Sequence, residues 1–162
     1  MSNDDFQTYF HQRARRFSSF YSSESVSRML GRGPLFDRLR MAVDMAVAAG
    51  AKSVLDVGCG SGPLFSTLAE KGIHVTGIDP ADYMVALARA EAAKYPGLAT
   101  VEQRSWADID EVDAYDVAVA LGVYGYPVDG YDDLAKRAGM QVLEKVPLGK
   151  AGFVVRFGRI PA

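Results

Sequence analysis

From Ser53 onwards, short apolar runs alternate along the chain with segments in which hydrophobic residues recur every three or four positions. The apolar runs predict strands that are buried on both faces, and the segments between them predict helices that cross from one strand to the next. The predicted strands are 53–57, 73–78, 100–103 and 116–121, and the predicted helices are 63–71 and 82–95. This alternation predicts an α/β fold, a Rossmann-like three-layer α/β/α sandwich built on a mostly parallel sheet.

The two ends of the chain follow different patterns. Phe6, Phe10 and Phe17 recur at helical spacings, the serine-rich segment 18–27 predicts a loop, and residues 35–49 predict an amphipathic helix. Near the other end, a short helix at 132–138 is followed by two strands, 141–146 and 152–157, which a short proline- and glycine-containing turn separates. Since so short a turn joins only antiparallel neighbours, the tail predicts an antiparallel hairpin at the end of the sheet.

Composition narrows the class of protein. At 162 residues, with 49% hydrophobic and 23% charged residues, the chain is predicted to be one globular domain. A net charge of −2 provides no broad positive field, which argues against DNA or RNA as a partner. The single cysteine excludes an intrachain disulfide, and no Cys/His cluster in the sequence indicates a metal site. The single cysteine favours a reducing compartment. The N-terminus is polar, and no apolar run is long enough to span a bilayer. These features predict a cytoplasmic protein without a membrane partner.

The most informative segment is the glycine-rich turn after the first predicted strand, Asp56-Val57-Gly58-Cys59-Gly60-Ser61-Gly62. Glycines allow the backbone to approach a ligand closely, and the helix that follows offers N–H groups and the positive end of its dipole. The dinucleotide fingerprint G-x-G-x-x-G would require glycine at position 63, where Pro63 stands. The alternating spacing therefore disfavours a nicotinamide-dependent dehydrogenase.

The stretch VLDVGCGSG, residues 54–62, closely resembles the first motif of class I S-adenosylmethionine-dependent methyltransferases. The resemblance implies that the loop wraps the methionine half of S-adenosylmethionine and that Asp56 holds its ammonium group. The loop residues that the resemblance places on the cofactor are Gly58, Cys59, Gly60 and Gly62. Cys59 is interpreted as a small side chain that the turn tolerates, without a redox role.

Further cofactor-binding positions follow from the resemblance. Asp79 ends the second predicted strand, and an acidic residue about 20 positions after the glycine loop is placed to accept hydrogen bonds from both ribose hydroxyls. Ser105 stands where the family commonly has a carboxylate for adenine, and Trp106 is either an adenine neighbour or a core residue. Pro80 and Leu121, at the ends of two strands, complete this part of the predicted site.

Aromatic residues lie on both sides of the predicted cofactor site. Tyr124 and Tyr126 follow the fourth predicted strand, in the loop that lines the methyl-transfer site in the family. Aromatic faces suit a sulfonium, so these tyrosines are either the candidate catalytic residues or ordinary packing residues. The N-terminal segment resembles the helical lid of small-molecule methyltransferases and is predicted to place Tyr21 against the cofactor. The resulting division is a lid at 1–33, a cofactor-binding core at 34–126 and a closing helix and hairpin at 127–162.

The resemblance also exposes a missing part. After the fourth strand the family usually has a helix, a fifth strand and substrate-contacting insertions, and residues 121–140 leave room for one helix only. In a six-stranded sheet, either the hairpin moves beside the fourth strand or a second copy covers the exposed edge, which would make a homodimer. The implied function is methyl transfer to a small-molecule acceptor. The alternative is a protein that binds S-adenosylmethionine without transferring its methyl group.

Overall fold

The computed structural model describes residues 23–29, 33–111, 114–121, 140–147 and 153–159, together with positions 8, 12, 19, 21, 132, 135 and 136. In this part of the chain the helices are α1 (Glu24–Met29), α2 (Gly33–Ala48), α3 (Phe65–Ala69) and α4 (Asp82–Ala92). The strands are β1 (Ser53–Val57), β2 (His74–Asp79), β3 (Ala99–Gln103), β4 (Val117–Leu121), β5 (Met140–Pro147) and β6 (Phe153–Arg159). One 3-10 turn, Trp106–Asp108, follows β3.

The described strands form one six-stranded sheet in the order β3-β2-β1-β4-β6-β5. β1 pairs in parallel with β2 and β4, and β2 pairs in parallel with β3. β6 runs antiparallel between β4 and β5. The Rossmann-like α/β fold with a terminal hairpin is therefore confirmed, and of the two predicted arrangements the structure has the hairpin beside the fourth strand. Because β6 covers the edge of β4, a homodimer is no longer needed to cover it, and the homodimer stays a prediction.

The two faces of the sheet carry separate cores, as the two-residue period of a strand requires. α2, α3 and α4 all pack on one face, which we call the helix face. Its buried residues include Ala42, Val43, Ala46, Val54, Leu64, Phe65, Leu68, Val75, Ala88, Ala92, Val117 and Val119. The buried residues of the second face are Leu55, Val57, Ile78, Ile109, Ala118, Ala120, Ala135 and Met140.

The end of α2 sets the direction of that helix over the sheet. Gly50 has a φ of 65°, and the N–H of Ala51 donates to the carbonyl of Ala46 at 3.1 Å, which satisfies one of the terminal carbonyls of the helix. The chain reverses within residues 49–52 and enters β1 at Ser53. α2 therefore runs antiparallel to β1, and its first half lies towards the carboxyl ends of the parallel strands.

The loop predicted for residues 18–27 is wrong in its second half, because α1 begins at Glu24. Glu24 in the first turn and Arg28 in the last turn have charges that favour a helix at those ends. Ion pairs to α2 stabilise α1 further, and no local sequence pattern reveals them. The 3-10 turn was not predicted, and α3 and α4 are shorter than the predicted helices. The helix predicted up to Phe17 lies outside the described residues, except for isolated positions.

Asp116 joins the beginnings of β1 and β4. Its Oδ2 accepts hydrogen bonds from the N–H of Lys52 at 2.9 Å, the N–H of Ser53 at 3.0 Å and the hydroxyl of Ser53 at 3.0 Å. The N–H of Asp116 in turn donates to the Ser53 hydroxyl at 3.1 Å. One carboxylate thus joins the amino-terminal ends of two central strands.

We expect Asp116→Ala to lower the free energy of unfolding by about 1 to 3 kcal/mol, because three donors lose their acceptor. Urea unfolding followed by circular dichroism measures the change. The control is Asp110→Ala, which removes an exposed acid and should alter stability by less than about 0.5 kcal/mol. Equal unfolding midpoints for the Asp116 variant and the unsubstituted protein would contradict the anchoring role.

Candidate cofactor site

The glycine loop between β1 and α3 adopts a conformation that explains its alternating glycines. Gly58, Gly60 and Gly62 have φ values of 68°, 56° and 79°, in the left-handed region that residues with a Cβ rarely adopt. A Cβ at Gly60 would meet no atom within 4 Å, so the backbone borders open space there. The loop is therefore a backbone surface that a ligand can approach closely.

Three hydrogen bonds attach the glycine loop to the end of β2. The N–H groups of Gly58 and Cys59 both donate to the carbonyl of Ile78, at 2.8 and 3.0 Å. The N–H of Gly60 donates to Oδ2 of Asp79 at 3.0 Å. Oδ1 of Asp79 accepts from the N–H of Ala81 at 2.9 Å, which fixes the carboxylate from the other side. The structure thus brings together the loop and Asp79, the two parts of the predicted site on which the resemblance depends.

Two buried carboxylates dominate the electrostatics of the site. Asp56 is 2% exposed and Asp79 is 8% exposed. Burial raises the pKa of Asp56 to about 7, and the nearby carboxylate of Asp79 adds to the rise. Burial also raises the pKa of Asp79, although the N–H groups of Ala81 and Gly60 offset part of that effect. A cation bound between the loop and these acids would offset the cost of burying both negative charges. The site therefore favours a positively charged group.

Cys59 is buried within the loop and its side chain faces the core. Burial raises the pKa of the Cys59 thiol far above its usual range, and the carboxylates of Asp56 and Asp79 raise it further. The thiol is therefore neutral and a poor nucleophile. The Cys59 side chain thus packs in the core of the helix face, and the absence of a redox role stays a prediction.

Phe65, the first residue of α3, lies in a slot that exists because two neighbours lack a side chain. A Cβ at Gly62 would lie 2.6 Å from the Phe65 ring, and a Cβ at Gly77 on β2 would lie 2.6 Å from the ring and 2.8 Å from Sγ of Cys59. Phe65 itself is completely buried. The ring therefore sets the distance between the glycine loop and β2.

The end of β3 is joined to the site through its backbone. The N–H of Arg104 donates to the carbonyl of Asp79 at 3.1 Å, which places the predicted adenine-side residues next to the end of β2. Ser105 caps the 3-10 turn, since its hydroxyl accepts from the N–H of Ala107 and its own N–H donates to Asp108. Trp106 is partly buried and packs against the core of the second face, which is the second of its two predicted roles. An adenine contact for either side chain stays a prediction.

The remaining predicted residues have different positions. Pro80 is exposed and its carbonyl accepts from the Gln103 side chain at 3.4 Å, whereas Leu121 is partly buried against the core of the helix face. Tyr21 is partly buried, and its hydroxyl accepts a hydrogen bond from Arg38. The candidate catalytic residues Tyr124 and Tyr126 lie outside the described residues.

Two buried positions were not predicted from the sequence, Arg38 on α2 and Gly77 on β2. Arg38 is only 7% exposed. Its burial could have been predicted from its position on the apolar stripe of α2, four residues before Ala42. Gly77 is a glycine inside an apolar strand pattern, which indicates a close approach of another group. In both cases the hydrophobic pattern shows an unusual residue at a buried position. It does not identify the side chain that contacts this residue, because that side chain is distant in sequence.

The family model of a methyltransferase domain matches residues 54–142, which is more than half of the chain. The chain belongs to this methyltransferase domain family. The cofactor of the family is S-adenosylmethionine, and solved structures with the same fold contain S-adenosylmethionine or S-adenosylhomocysteine. The resemblance inferred from the glycine loop is thereby confirmed.

Curated relatives of this methyltransferase domain are similar to it over part of their length. A ubiquinone biosynthesis O-methyltransferase of Methylobacterium nodulans is 34% identical over 115 residues, 67% of this chain and 41% of that protein. The matches to two other curated methyltransferases span 27% and 32% of their lengths, so the chain covers well under half of these relatives.

Two solved structures show the same fold at low identity. A magnesium protoporphyrin IX methyltransferase from Synechocystis PCC 6803 has a TM-score of 0.72 at 16% identity, covering 98% of this chain and 100% of that one. A ribosomal protein L11 methylase from Lactobacillus delbrueckii has a TM-score of 0.55 at 16% identity, covering 81% of each chain. The fold therefore accompanies both small-molecule and protein acceptors and does not select between them.

We expect Gly77→Ala to weaken S-adenosylmethionine binding at least about tenfold, because the added Cβ displaces Phe65 or Cys59 and moves the loop. Isothermal titration calorimetry measures the affinity. Gly72→Ala is the matched control, since Gly72 has a φ of 70° but open space around its Cβ, so its strain stays away from the loop. Phe65→Leu combined with Gly77→Ala should restore part of the affinity. Equal losses in the two glycine variants would contradict the role of the slot.

The raised pKa of Asp56 predicts a pH dependence of stability in the ligand-free protein. The folded state holds a proton on Asp56 up to about pH 7, whereas the unfolded chain releases it near pH 3.8. The folded state therefore binds more protons across this interval, and its stability falls as pH rises. Between pH 5.5 and pH 8 the contribution is about 2 kcal/mol.

Asp56→Asn should remove this contribution while keeping the shape of the side chain. Urea unfolding of both proteins at the two pH values gives the comparison, since the other titrating groups are shared and cancel. The interpretation fails if the difference in stability between the variant and the unsubstituted protein is the same at both pH values.

Proposed function

We propose that this domain transfers a methyl group from S-adenosylmethionine to a small-molecule acceptor. The observation that carries the proposal is the glycine loop fastened to Asp79 beside the buried Asp56, in a chain of the methyltransferase domain family. When bound, S-adenosylmethionine supplies an electrophilic methyl group on a positively charged sulfur. The glycine loop, Asp56 and Asp79 are proposed to bind the cofactor and thereby to orient its methyl group. Methyl transfer requires alignment and exclusion of water more than a strong base.

The donor and acceptor groups of the site fit this cofactor. Asp56 provides a buried carboxylate for the ammonium group of the methionine half, and the left-handed glycines let the backbone approach it. Each carboxylate oxygen of Asp79 accepts one backbone N–H and has a further lone pair for a ribose hydroxyl. Ser105 and Trp106, which are joined to the end of β2 through Arg104, are proposed to border the adenine.

The methyl-facing side of the site is assigned to Tyr124 and Tyr126, which follow β4 in the sequence. Leu121 at the end of β4 and Pro80 at the end of β2 are proposed to border the cofactor, and Tyr21 to cover it from the N-terminal segment. Aromatic rings around a sulfonium stabilise its charge without accepting a proton. No observation among the comparisons favours the alternative of a binding protein without methyl transfer.

The acceptor is proposed to be a small molecule for two reasons. The net charge of −2 does not favour a nucleic-acid substrate, and the ubiquinone biosynthesis relative is named for a small-molecule pathway. In the part of the chain that the structure describes, no helix has both the length and the apolar character needed to cross a membrane. A cytoplasmic location and a homodimer remain predictions from the sequence.

We expect Asp79→Ala to reduce the affinity for S-adenosylmethionine at least about tenfold, because the ribose loses a charged acceptor and Gly60 loses its partner. Isothermal titration of the purified proteins tests this directly. Asp44→Ala, which removes an exposed acid from α2, is the control and should bind like the unsubstituted protein. Equal affinity of the Asp79 variant and the unsubstituted protein would reject the cofactor assignment. Formation of S-adenosylhomocysteine with a panel of phenols, amines and thiols then tests transfer itself.

A further inference from the structure

An ion pair closes residues 104–111, the first part of the connection between β3 and β4. Nη1 of Arg104 donates to Oε1 of Glu111 at 2.7 Å, across seven residues of sequence. Oε2 of Glu111 accepts the N–H of Asp110 at 3.3 Å, so both oxygens of this carboxylate are used within the segment. The segment therefore begins and ends at one contact, which we call the Arg104–Glu111 pair.

The beginning of this segment is also attached to the sheet. The N–H of Arg104 donates at 3.1 Å to the carbonyl of Asp79, the residue whose carboxylate accepts the N–H of Gly60. The main chain of Arg104 thus lies against the end of β2, while its side chain reaches Glu111. One residue connects the far end of the segment to the strand end that holds the glycine loop.

The middle of the segment is the 3-10 turn. The N–H groups of Asp108 and Ile109 donate to the carbonyls of Ser105 and Trp106, at 3.0 and 3.3 Å. These bonds are local, so they set the shape of the turn and leave its position on the sheet open. Contacts beyond the turn fix that position, among them the packing of Ile109 and Trp106 in the core of the second face and the Arg104–Glu111 pair.

The Arg104–Glu111 pair is more buried than the ion pairs between α1 and α2. The side chains of Arg104 and Glu111 are 18% and 31% exposed. Burial alone would raise the pKa of Glu111, but the hydrogen bond and the charge of Arg104 hold that pKa below its usual range. A carboxylate whose pKa is lowered by its partner is stabilised by that partner, so the contact favours the closed segment.

Arg104 has no equivalent second partner in the part of the chain that the structure describes. Its Nε lies 3.5 Å from Oε2 of Glu102, whose side chain is half exposed. Nε and Nη2 are buried and donate no hydrogen bond among the described residues. Without Glu111, a partly buried guanidinium would lose its hydrogen-bonded acceptor, which favours its movement towards solvent. Such a movement would open the segment.

We propose that Arg104 and Glu111 are positioning residues, whose ion pair holds Ser105 and Trp106 at the adenine side of the cofactor site without contacting the cofactor. The inference rests on the proposed function and adds the contact that sets the position of this side. Ser105 and Trp106 lie on one short turn, so a contact between the two ends of the segment affects both. A turn that is held in its binding position needs little ordering when the ligand arrives, which favours affinity.

The single tryptophan of the chain makes the position of this turn measurable. We expect Glu111→Gln to weaken the binding of S-adenosylhomocysteine about tenfold in isothermal titration, because a charge-assisted hydrogen bond no longer holds the turn. Acrylamide should quench Trp106 more strongly in this variant without ligand than in the unsubstituted protein, and saturating ligand should remove most of the difference. A merely structural ion pair would lower the urea midpoint and leave both the affinity and the ligand-dependent quenching unchanged.

Arg104→Lys keeps a cation within reach of Glu111 and should retain most of the affinity, whereas Arg104→Gln should bind as weakly as Glu111→Gln. Combining Arg104→Gln with Glu111→Gln should weaken binding little more than either substitution alone, because both break the same contact. Glu91→Gln is the matched control. It breaks the 2.6 Å ion pair with Lys94 near the end of α4 and should change neither the affinity nor the quenching of Trp106.

Unchanged affinity in Glu111→Gln, or fully additive losses in the double variant, would overturn the proposal and leave the proposed function intact. If Glu111→Gln does not fold, Glu111→Asp gives the same test, because it keeps the charge and shortens the side chain by one methylene. If the unsubstituted protein does not bind S-adenosylhomocysteine, the proposed function fails and this inference fails with it.

Discussion

The hydrogen bonds between the glycine loop and the end of β2 are the constraint on which the site depends. A loop with three left-handed glycines has many conformations of similar energy, and its own sequence selects none of them. The carbonyl of Ile78 and the carboxylate of Asp79 select one by accepting the N–H groups of Gly58, Cys59 and Gly60. β2 is paired along its length with β1 and β3 and is therefore held in place by the sheet. The loop is held in turn by its hydrogen bonds to β2.

The same contacts stabilise only one of the two buried carboxylates. Asp79 is stabilised by two backbone N–H groups, whereas Asp56 has a pKa of about 7 and is destabilised as a carboxylate by burial and by Asp79. Residues held in an unfavourable environment are common at binding sites, since a ligand of opposite charge relieves the cost. The site is thus organised for a cation before any cation binds.

The sheet shows how β4 is covered without a further parallel strand. In place of a further parallel strand after β4, the structure pairs β6 with β4 and puts β5 at the edge. An antiparallel neighbour needs no crossover helix, so this arrangement covers β4 with few residues. The long helices α2 and α4 both lie on the face towards which Asp56 points, and the N-terminal part of α2 adds Arg38 to that face.

Local patterns in the sequence were sufficient for the parallel core, the hairpin, the glycine loop and the positions of Asp56 and Asp79. Apolar runs, glycine spacing and strand ends are local features of the sequence. In a parallel sheet the carboxyl ends of the strands lie on the same side, which brings the residues at those ends together. The position of the hairpin beside β4, the helix α1, and the neighbours of Arg38 and Gly77 were decided only by the tertiary structure. Each depends on tertiary contacts, such as Arg28 with Asp37 or Gly77 with Phe65. The identity of a residue does not reveal which distant residue it contacts.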